Sequence, residues 1–464
     1  MRSRRDQVQA HAYVLGRLSS AMVHGEPDAF EPPMRRTTTG AFGGLMIGAL
    51  GVAAFLIWAL ISPIKPAAAS KAVSLTAWDL IVVPQTGARY IYTGAELLPV
   101  LNWSSARLLL GGSPKVQNVS ASALASVPQG TPLGIVGAPD ALPSAAAINQ
   151  GDWLICARSS GAQPRVAVVI GASPPAEPVA PGQAVLVAAD GSRYLLWHGE
   201  RLRLDATWIA QALGLGQAPV TQVSQVWLDT VPAGPDLRPI SLPGVGSPGP
   251  ALGAQQTRVG EVLQVHNVGT PTALYLVERG GVAPITATQA AVELTSSATA
   301  AAYPGAVAGP VTVSPAAIAD APAGNESLSD GAGVPASAPR DYLPPAGDVP
   351  CAAYPGTGMA SPSLIWTVSP GGSAPAASAP GVSSGAATAN LLSVAADNGA
   401  LVQPQPASGS ELFLVTSDGV KFPVPTSSEV TALGYQSSEA ARLPAAVLAL
   451  LPTGPSLDLA PLQG

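Results

Sequence analysis

Apolar and polar positions follow three different rhythms along the chain. From Arg4 to Met22 the positions Val8, Ala12, Leu15, Ser19 and Met22 recur at three- and four-residue spacing, which predicts an amphipathic helix. Gly25-Glu26-Pro27 is expected to stop it, and a second short piece, Asp28 to Met34, leads on through Pro32 and Pro33. From Gly40 to Ile61 the polar positions vanish. This run of 22 residues holds no charge and no strong hydrogen-bonding side chain. As a helix it spans roughly 33 Å, enough for a bilayer core of about 30 Å. In hydrocarbon the backbone must satisfy its own polar groups, so the run is expected to be helical. Beyond residue 62 the rhythm changes to short apolar runs broken by Gly, Pro, Asn and Asp, the pattern of short strands and many turns.

Inside the apolar run, Gly40, Gly44 and Gly48 fall four apart and form one flat stripe, suited to close packing of a second membrane helix. Trp58 stands near the far end, where an aromatic belt is expected. Ala67-Ala68-Ala69 imitates a signal-peptidase site. The run is too long for a signal peptide and 39 residues precede it, so a retained anchor is the expectation. Arg2, Arg4, Arg5, Arg17, Arg35 and Arg36 precede the run, and only Lys65 and Lys71 follow it closely. The positive-inside rule then places segment 1–39 in the cytoplasm and segment 62–464 outside.

The outer segment reads as a repeat. Four windows, about 88–134, 192–238, 273–325 and 411–458, share a strand, a turn, a second strand and a short helix. The turns are Gly94, Gly199, Gly280 and Asp418-Gly419. Asn102 and Asp205 are the expected helix caps of the first two windows, and Thr426 with Glu429 forms an expected capping box in the fourth. Leu110-Gly111, Leu213-Gly214 and Leu433-Gly434 end three of the helices, and the third window's helix ends near Leu294 without a glycine. A second short helix then breaks at Pro-x-Gly, at Pro128-Gln129-Gly130, Pro232-Ala233-Gly234, Pro322-Ala323-Gly324 and Pro452-Thr453-Gly454. Eight residues before each proline stands Ser120, Ser224, Ser314 or Pro444, a good helix starter. The prolines lie 104, 90 and 130 residues apart, so the units do not stack as a uniform solenoid.

The stretches between windows read as strands: Trp153 to Cys156, Val166 to Ile170, Val185 to Val187, Val259 to Val265, Leu364 to Val368 and Leu412 to Val415. The expected fold is therefore a single transmembrane helix plus an α+β extracytoplasmic domain. Its β-rich core is assembled from discontinuous segments (151–190, 255–268, 345–370 and neighbours) surrounded by four small strand-helix units. Gly171 to Gln183 and Ser369 to Ala389 are expected to be loops.

Composition sharpens this picture in three ways. Charged residues are 11% of the chain, against about 25% in typical soluble proteins. Gly and Pro together make 97 of 464 residues, which fits short strands and turns. After the apolar run come 16 of the 22 basic and 24 of the 28 acidic residues, so no basic surface points to nucleic acid. The two cysteines, Cys156 and Cys351, both lie outside. An even count in an oxidising compartment points to a disulfide closing about 195 residues; two separate buried thiols are the alternative.

Catalytic patterns are weak. Gly244-Val245-Gly246-Ser247-Pro248-Gly249 spells GxGxxG, but prolines on both sides forbid the helix that a dinucleotide site needs. Gly381-Val382-Ser383-Ser384-Gly385 spells GxSxG without a preceding strand. None of the four lysines follows a glycine, so no standard phosphate-cradling loop exists. His11, His24, His198 and His266 lack metal-ligand spacing, and no carboxylate pair stands out. No catalytic, cofactor or metal residue is nominated, and a non-enzyme is expected.

The opening Arg5-Asp6-Gln7-Val8-Gln9-Ala10-His11, then Gly16-Arg17-Leu18, Gly25-Glu26-Pro27-Asp28 and Pro33-Met34-Arg35-Arg36 ahead of a single span, resemble EccB. EccB is the membrane component B of the actinobacterial type VII (ESX) secretion system. The paired cysteines and the four windows resemble it too, and the likeness covers nearly the whole chain. The resemblance implies a core subunit of an inner-membrane secretion complex with a periplasmic domain. Implied partners are EccC (an FtsK/SpoIIIE-type ATPase), EccD, EccE and membrane lipid, in an assembly with six-fold organisation. Some family members carry an ATPase label, which no motif here supports. A membrane-anchored cell-wall (peptidoglycan) binding module and a membrane-bound hydrolase are the rival readings.

Overall fold

The computed structural model describes residues 4–25, 34–61, 74–160, 163–172, 178–267, 269–325, 331–356, 361–375, 379–407 and 409–460. The chain divides into two compact units, 1–73 and 74–464.

The first unit contains two helices. Helix α1 is Arg4–His24. It ends where Gly25 takes φ +70° and its N–H reaches the Ala21 carbonyl. Helix α2 is Met34–Ile61, longer at its start than the apolar run. Its apolar stretch, Thr37–Trp58, has a mean hydropathy of 2.1 and is long enough to cross a membrane. The helix extends back because the threonines at 37–39 carry no helix breaker. Of the piece Asp28 to Met34, all but Met34 lies outside the described residues, as does Ala67-Ala68-Ala69.

Among the described residues the second unit holds five sheets. Strands β1 (Leu80–Val83), β2 (Ala88–Tyr92) and β3 (Leu97–Pro99), helix α3 (Trp103–Leu110), β4 (Val116–Asn118) and helix α4 (Ala121–Leu124) build the first. Strands β5 (Asp152–Ser160) and β6 (Gln163–Ala172) open the central sheet. The second sheet follows as β7 (Gln183–Ala189), β8 (Ser192–Trp197), β9 (Glu200–Leu204), α5 (Trp208–Ala212), β10 (Val220–Gln222) and α6 (Gln225–Leu228). The third comprises β11 (Val262–Val265), β12 (Ala273–Val277), β13 (Val282–Ile285), α7 (Ala287–Thr295), β14 (Val311–Thr312) and α8 (Pro315–Ala319). After the short β15 (Arg340–Asp341), strands β16 (Asp348–Tyr354), β17 (Ser363–Val368) and β18 (Leu391–Val394) complete the central sheet. The fourth small sheet is β19 (Ala400–Gln405), β20 (Leu412–Val415), β21 (Lys421–Val424), α9 (Ser427–Ala432), β22 (Ala441–Pro444) and α10 (Ala445–Ala449).

Each small sheet has one strand order: third, second, first, fourth in chain order, as in β3-β2-β1-β4. The first strand pairs antiparallel with the second and parallel with the fourth, as β1 does with β2 and β4. The central sheet runs β17-β16-β5-β6-β18.

Pro-x-Gly performs the same task in all four sheets. Its middle residue bridges the start of the third strand: Gln129 with Leu97, Ala233 with Arg201, Ala323 with Val282 and Thr453 with Lys421. The motif's proline carbonyl accepts that strand residue's N–H, and its glycine N–H returns to the same residue's carbonyl. The outer edge of the third strand is thereby covered. Proline suits the first position because only its carbonyl is used there. Glycine is required by the close approach: a Cβ on Gly454 would lie 2.3 Å from Phe422 Cε1. We expect Gly454→Ala to cost roughly 1–3 kcal/mol in denaturant unfolding of the full chain, as overpacking of a buried ring does. Gly371→Ala, whose Cβ would meet open space, serves as the control and should change stability by no more than about 0.5 kcal/mol.

Val185–Val187 and Val259–Val265, expected as core strands, fall in β7 and around β11, the first strands of the second and third small sheets, and Val185 and Val187 lie in the largest core. Leu412–Val415 likewise is β20, in the fourth. A first strand sits between two neighbours and is buried on both faces, so it reads as an unbroken apolar run, as core strands do. The helix after β9 is capped at Thr207 rather than Asp205, without a side-chain bond. Thr426 caps Ser428 N–H, whereas a full capping box forms at Thr286 and Gln289.

Candidate assembly site

The central sheet separates two apolar layers. On one face Trp153, Ile155, Val168, Ala352, Tyr354 and Trp366 join the largest core, with residues of the second and fourth small sheets. Trp227 of α6 is fully buried in it and donates its indole N–H to the Ile155 carbonyl at 2.8 Å. On the other face lie Leu154, Cys156, Val349, Cys351, Ala353 and Ile365. Alternation along each strand produces this split.

Cys156 and Cys351 stand directly opposite each other on β5 and β16. They are bonded, with S–S 2.03 Å and Cα–Cα 4.0 Å, and both are fully buried. The bridge spans a sequence separation of 195. That excursion contains the whole second and third sheets.

Two helix contacts join the small sheets in pairs. Helix α3 packs on α9, and α5 packs on α7. At the first junction the Arg107 guanidinium donates to the Gly112 carbonyl and lies where a Cβ on Gly434 would stand. Gly434, at φ +82°, closes α9, so the cation lies at a helix C-terminus, where the dipole favours it. At the second junction Glu293 of α7 is buried, and its carboxylate accepts the Ile240 N–H and, at 3.3 Å, the Thr299 hydroxyl. Burial pushes its pKa up to about 7, against the pull of those two bonds.

Lys421 of β21 is also buried, and its ammonium donates to the carbonyls of Leu448 and Leu451, at 2.6 and 2.9 Å, at the end of α10. Burial lowers its pKa to about 8. Arg201 of β9 occupies the matching position, donating to the Leu228 carbonyl at the end of α6 and to Asp229 at 2.8 Å. In both sheets the residue clasped by Pro-x-Gly thus supplies a cation to the end of the helix that leads into the motif.

Gly244 and Gly246 occupy turns at φ +81° and +82°, with no helix after them. Ser383 pairs through its backbone with Thr453. His198, at φ +48° in the β8–β9 turn, stacks on Trp197 and contacts the Pro181 carbonyl at 3.1 Å. His266 contacts Thr272 at 3.0 Å. Among the described residues no group of three or more His, Cys, Asp or Glu could hold a metal ion.

Exposed apolar side chains concentrate on the two helices of the first unit. On α1 they are Val8, Tyr13, Val14, Leu15, Leu18, Met22 and Val23. On α2 an added Cβ at Gly40, Gly43, Gly44, Gly48 or Gly51 would meet nothing within 4 Å.

An apolar helix long enough to span a membrane, followed by a disulfide-closed β-rich domain of small sheets, is the architecture of this chain. The chain belongs to the EccB family: the family model described as "Type VII secretion system ESX-1, transport TM domain B" matches residues 2–461. "ESX-1 secretion system ATPase EccB1" of Mycobacterium tuberculosis is 27% identical over 483 residues, covering 97% of this chain and 92% of that protein. "ESX-3 secretion system ATPase EccB3" of Mycolicibacterium smegmatis is 28% identical over 300 residues, covering 62% of this chain and 56% of that one. The second match therefore spans little more than half of the relative's length. Two solved structures share the fold. One, of an intact ESX-5 inner membrane complex, covers 100% of this chain and 95% of its own at TM-score 0.63 and 23% identity. The other, of an EccB3 dimer from the ESX-3 core complex, covers 83% and 99% at TM-score 0.64 and 24% identity.

Proposed function

We propose that this chain is a structural core subunit of an inner-membrane type VII (ESX) secretion complex, supporting protein export. The observation that carries it is the family match, which runs through both N-terminal helices and the whole β-rich domain. In this reading α2 crosses the inner membrane with the arginine-rich segment 1–39 in the cytoplasm and the domain in the periplasm. The apolar face of α1 docks on cytoplasmic partners, for which the family resemblance suggests EccC, EccD and EccE. The Gly40, Gly44 and Gly48 stripe packs against another membrane helix. The windows 88–134, 192–238, 273–325 and 411–458 are copies of one unit, each beginning with the strand before its window; their shared strand order and Pro-x-Gly clasp support this. The copies, paired through α3–α9 and α5–α7, build the domain's part of a homo-oligomer in a six-fold complex.

The role is one of scaffold rather than catalyst. The relatives' names include the word ATPase, while this chain's GxGxxG stretch, Gly244 to Gly249, occupies a proline-flanked turn unsuited to cradling phosphate. Deleting residues 1–35 tests the docking role. We expect the truncated chain to reach the membrane and fold its domain, with its disulfide formed, yet to be absent from the large complex on native gels. Normal assembly after this deletion would contradict the reading.

A further inference from the structure

The third small sheet is tied to the second by a narrow set of contacts. The chain enters it along strap 235–242 and leaves along 331–339, and the two crossings touch, since a Cβ on Gly333 would lie 3.0 Å from Pro235. Helix α7 bears on α5, with Val292 buried in the second sheet's core. Ile240 and Leu242 of the strap pack with Val262, Leu276, Ile285 and Ala290 of the third sheet. Glu293 stands where strap and helix meet, buried, and accepts a backbone N–H of the strap, that of Ile240. A cavity of about 280 Å³ opens beside it, lined by Pro235, Arg238, Ile240, Gln289, Val292 and Val334 among others.

We propose that Glu293 is a proton-operated catch: protonated, it keeps the third sheet docked on the second through strap 235–242, and ionised, it lets the strap lift so that the sheet swings free. The physical reason is the environment of the carboxyl. In the docked form an ionised Glu293 has two hydrogen bonds and, among the described residues, no cationic partner. Once the strap lifts, water reaches the carboxylate and the charge is solvated.

Its pKa, raised from 4.5 to about 7 by burial, gives the sign. A carboxyl with a raised pKa in the docked form favours docking fully below pH 4.5. That preference is lost as the pH rises towards 7 and is gone above it. The neighbouring titratable groups do not replace it. Tyr303, at the end of the turn 297–302, stays neutral because burial raises its pKa further. Glu261, held beside Arg258, is raised by burial in its turn. Asp236 and Arg238 are the charges on the strap, and α5 carries none. The inference rests on this junction's geometry and not on the secretion role.

Hydrogen exchange of the full-length protein in detergent tests it, at pH 5 and pH 8, with rates corrected for intrinsic chemistry. The opening of 235–242 and 287–303 should rise on the order of 50-fold from pH 5 to pH 8, with β5 and β16 as the unchanged reference. Glu293→Gln should reduce that rise to less than about threefold, and Glu261→Gln should leave it intact. Thr299→Val, which removes one donor to the ionised carboxylate, should move the midpoint to higher pH and provides a second variant should the first not fold. A flat wild-type profile, a rise that survives Glu293→Gln, an unmoved midpoint in Thr299→Val, or an equal rise in β5 and β16 would each overturn the proposal.

Discussion

Replacing both cysteines, as Cys156→Ala with Cys351→Ala, is expected to lower the unfolding free energy of the domain by about 5 kcal/mol. This follows from the chain-entropy model for a closed loop of this size. The separation of 195 residues puts the effect at the upper end of what one disulfide contributes. The excursion from β5 to β16 carries two of the four small sheets, so in the unfolded chain its ends are far apart. In the folded chain β5 and β16 pair directly and bury both sulfurs. The alanine pair keeps the strand pairing and loses the cross-link, so the loss should appear in denaturant midpoint with the slope also changed. A difference under about 1 kcal/mol would mean that the unfolded chain already holds β5 near β16. The wild type under reducing conditions should resist at first, because both sulfurs are fully buried, and then follow the double variant once unfolded.

Trp227→Ala is expected to cost roughly 4 kcal/mol, as deletion of a fully buried large ring does. Trp227 lies on the short helix α6 yet reaches into the core shared with the central sheet, where it bonds the Ile155 carbonyl. Truncation leaves a cavity and an orphaned carbonyl together. The second sheet would then lose its main anchor on β5, so chemical denaturation should show a separate early transition. Trp227→Phe keeps an aromatic ring but loses the indole N–H and part of the buried volume, with a smaller loss of about 2 kcal/mol. Equal stability of wild type and Trp227→Ala would contradict the placement of α6.

These two sites differ in how readable they are from sequence. The disulfide is legible because both cysteines lie beyond the apolar run and are even in number, while their partner strands are apolar runs of ordinary length. Trp227 is not, since α6 is four residues long and its periodicity is too short to assign a face. The apolar helix and the Pro-x-Gly motif carry strong local signals, one from length and the other from residues with special backbone needs. What the motif does is less visible, because the strand residue it covers lies 32 residues upstream in the first, second and fourth small sheets and 41 in the third. The first strand of each small sheet was hidden for a related reason. Leu80–Val83 and Gln183–Ala189 are flanked on both sides, so they lack the polar alternation that would tie them to their own unit. Glu293 and Lys421 carry no sequence mark at all; each is an ordinary charged residue until packing buries it.

The most direct test of the proposed role is purification of the tagged, full-length protein from its native membranes in mild detergent, with native mass and partner identification. We expect a very large assembly that contains an FtsK/SpoIIIE-type ATPase. A lone monomer or dimer that is retained by purified cell wall would contradict it.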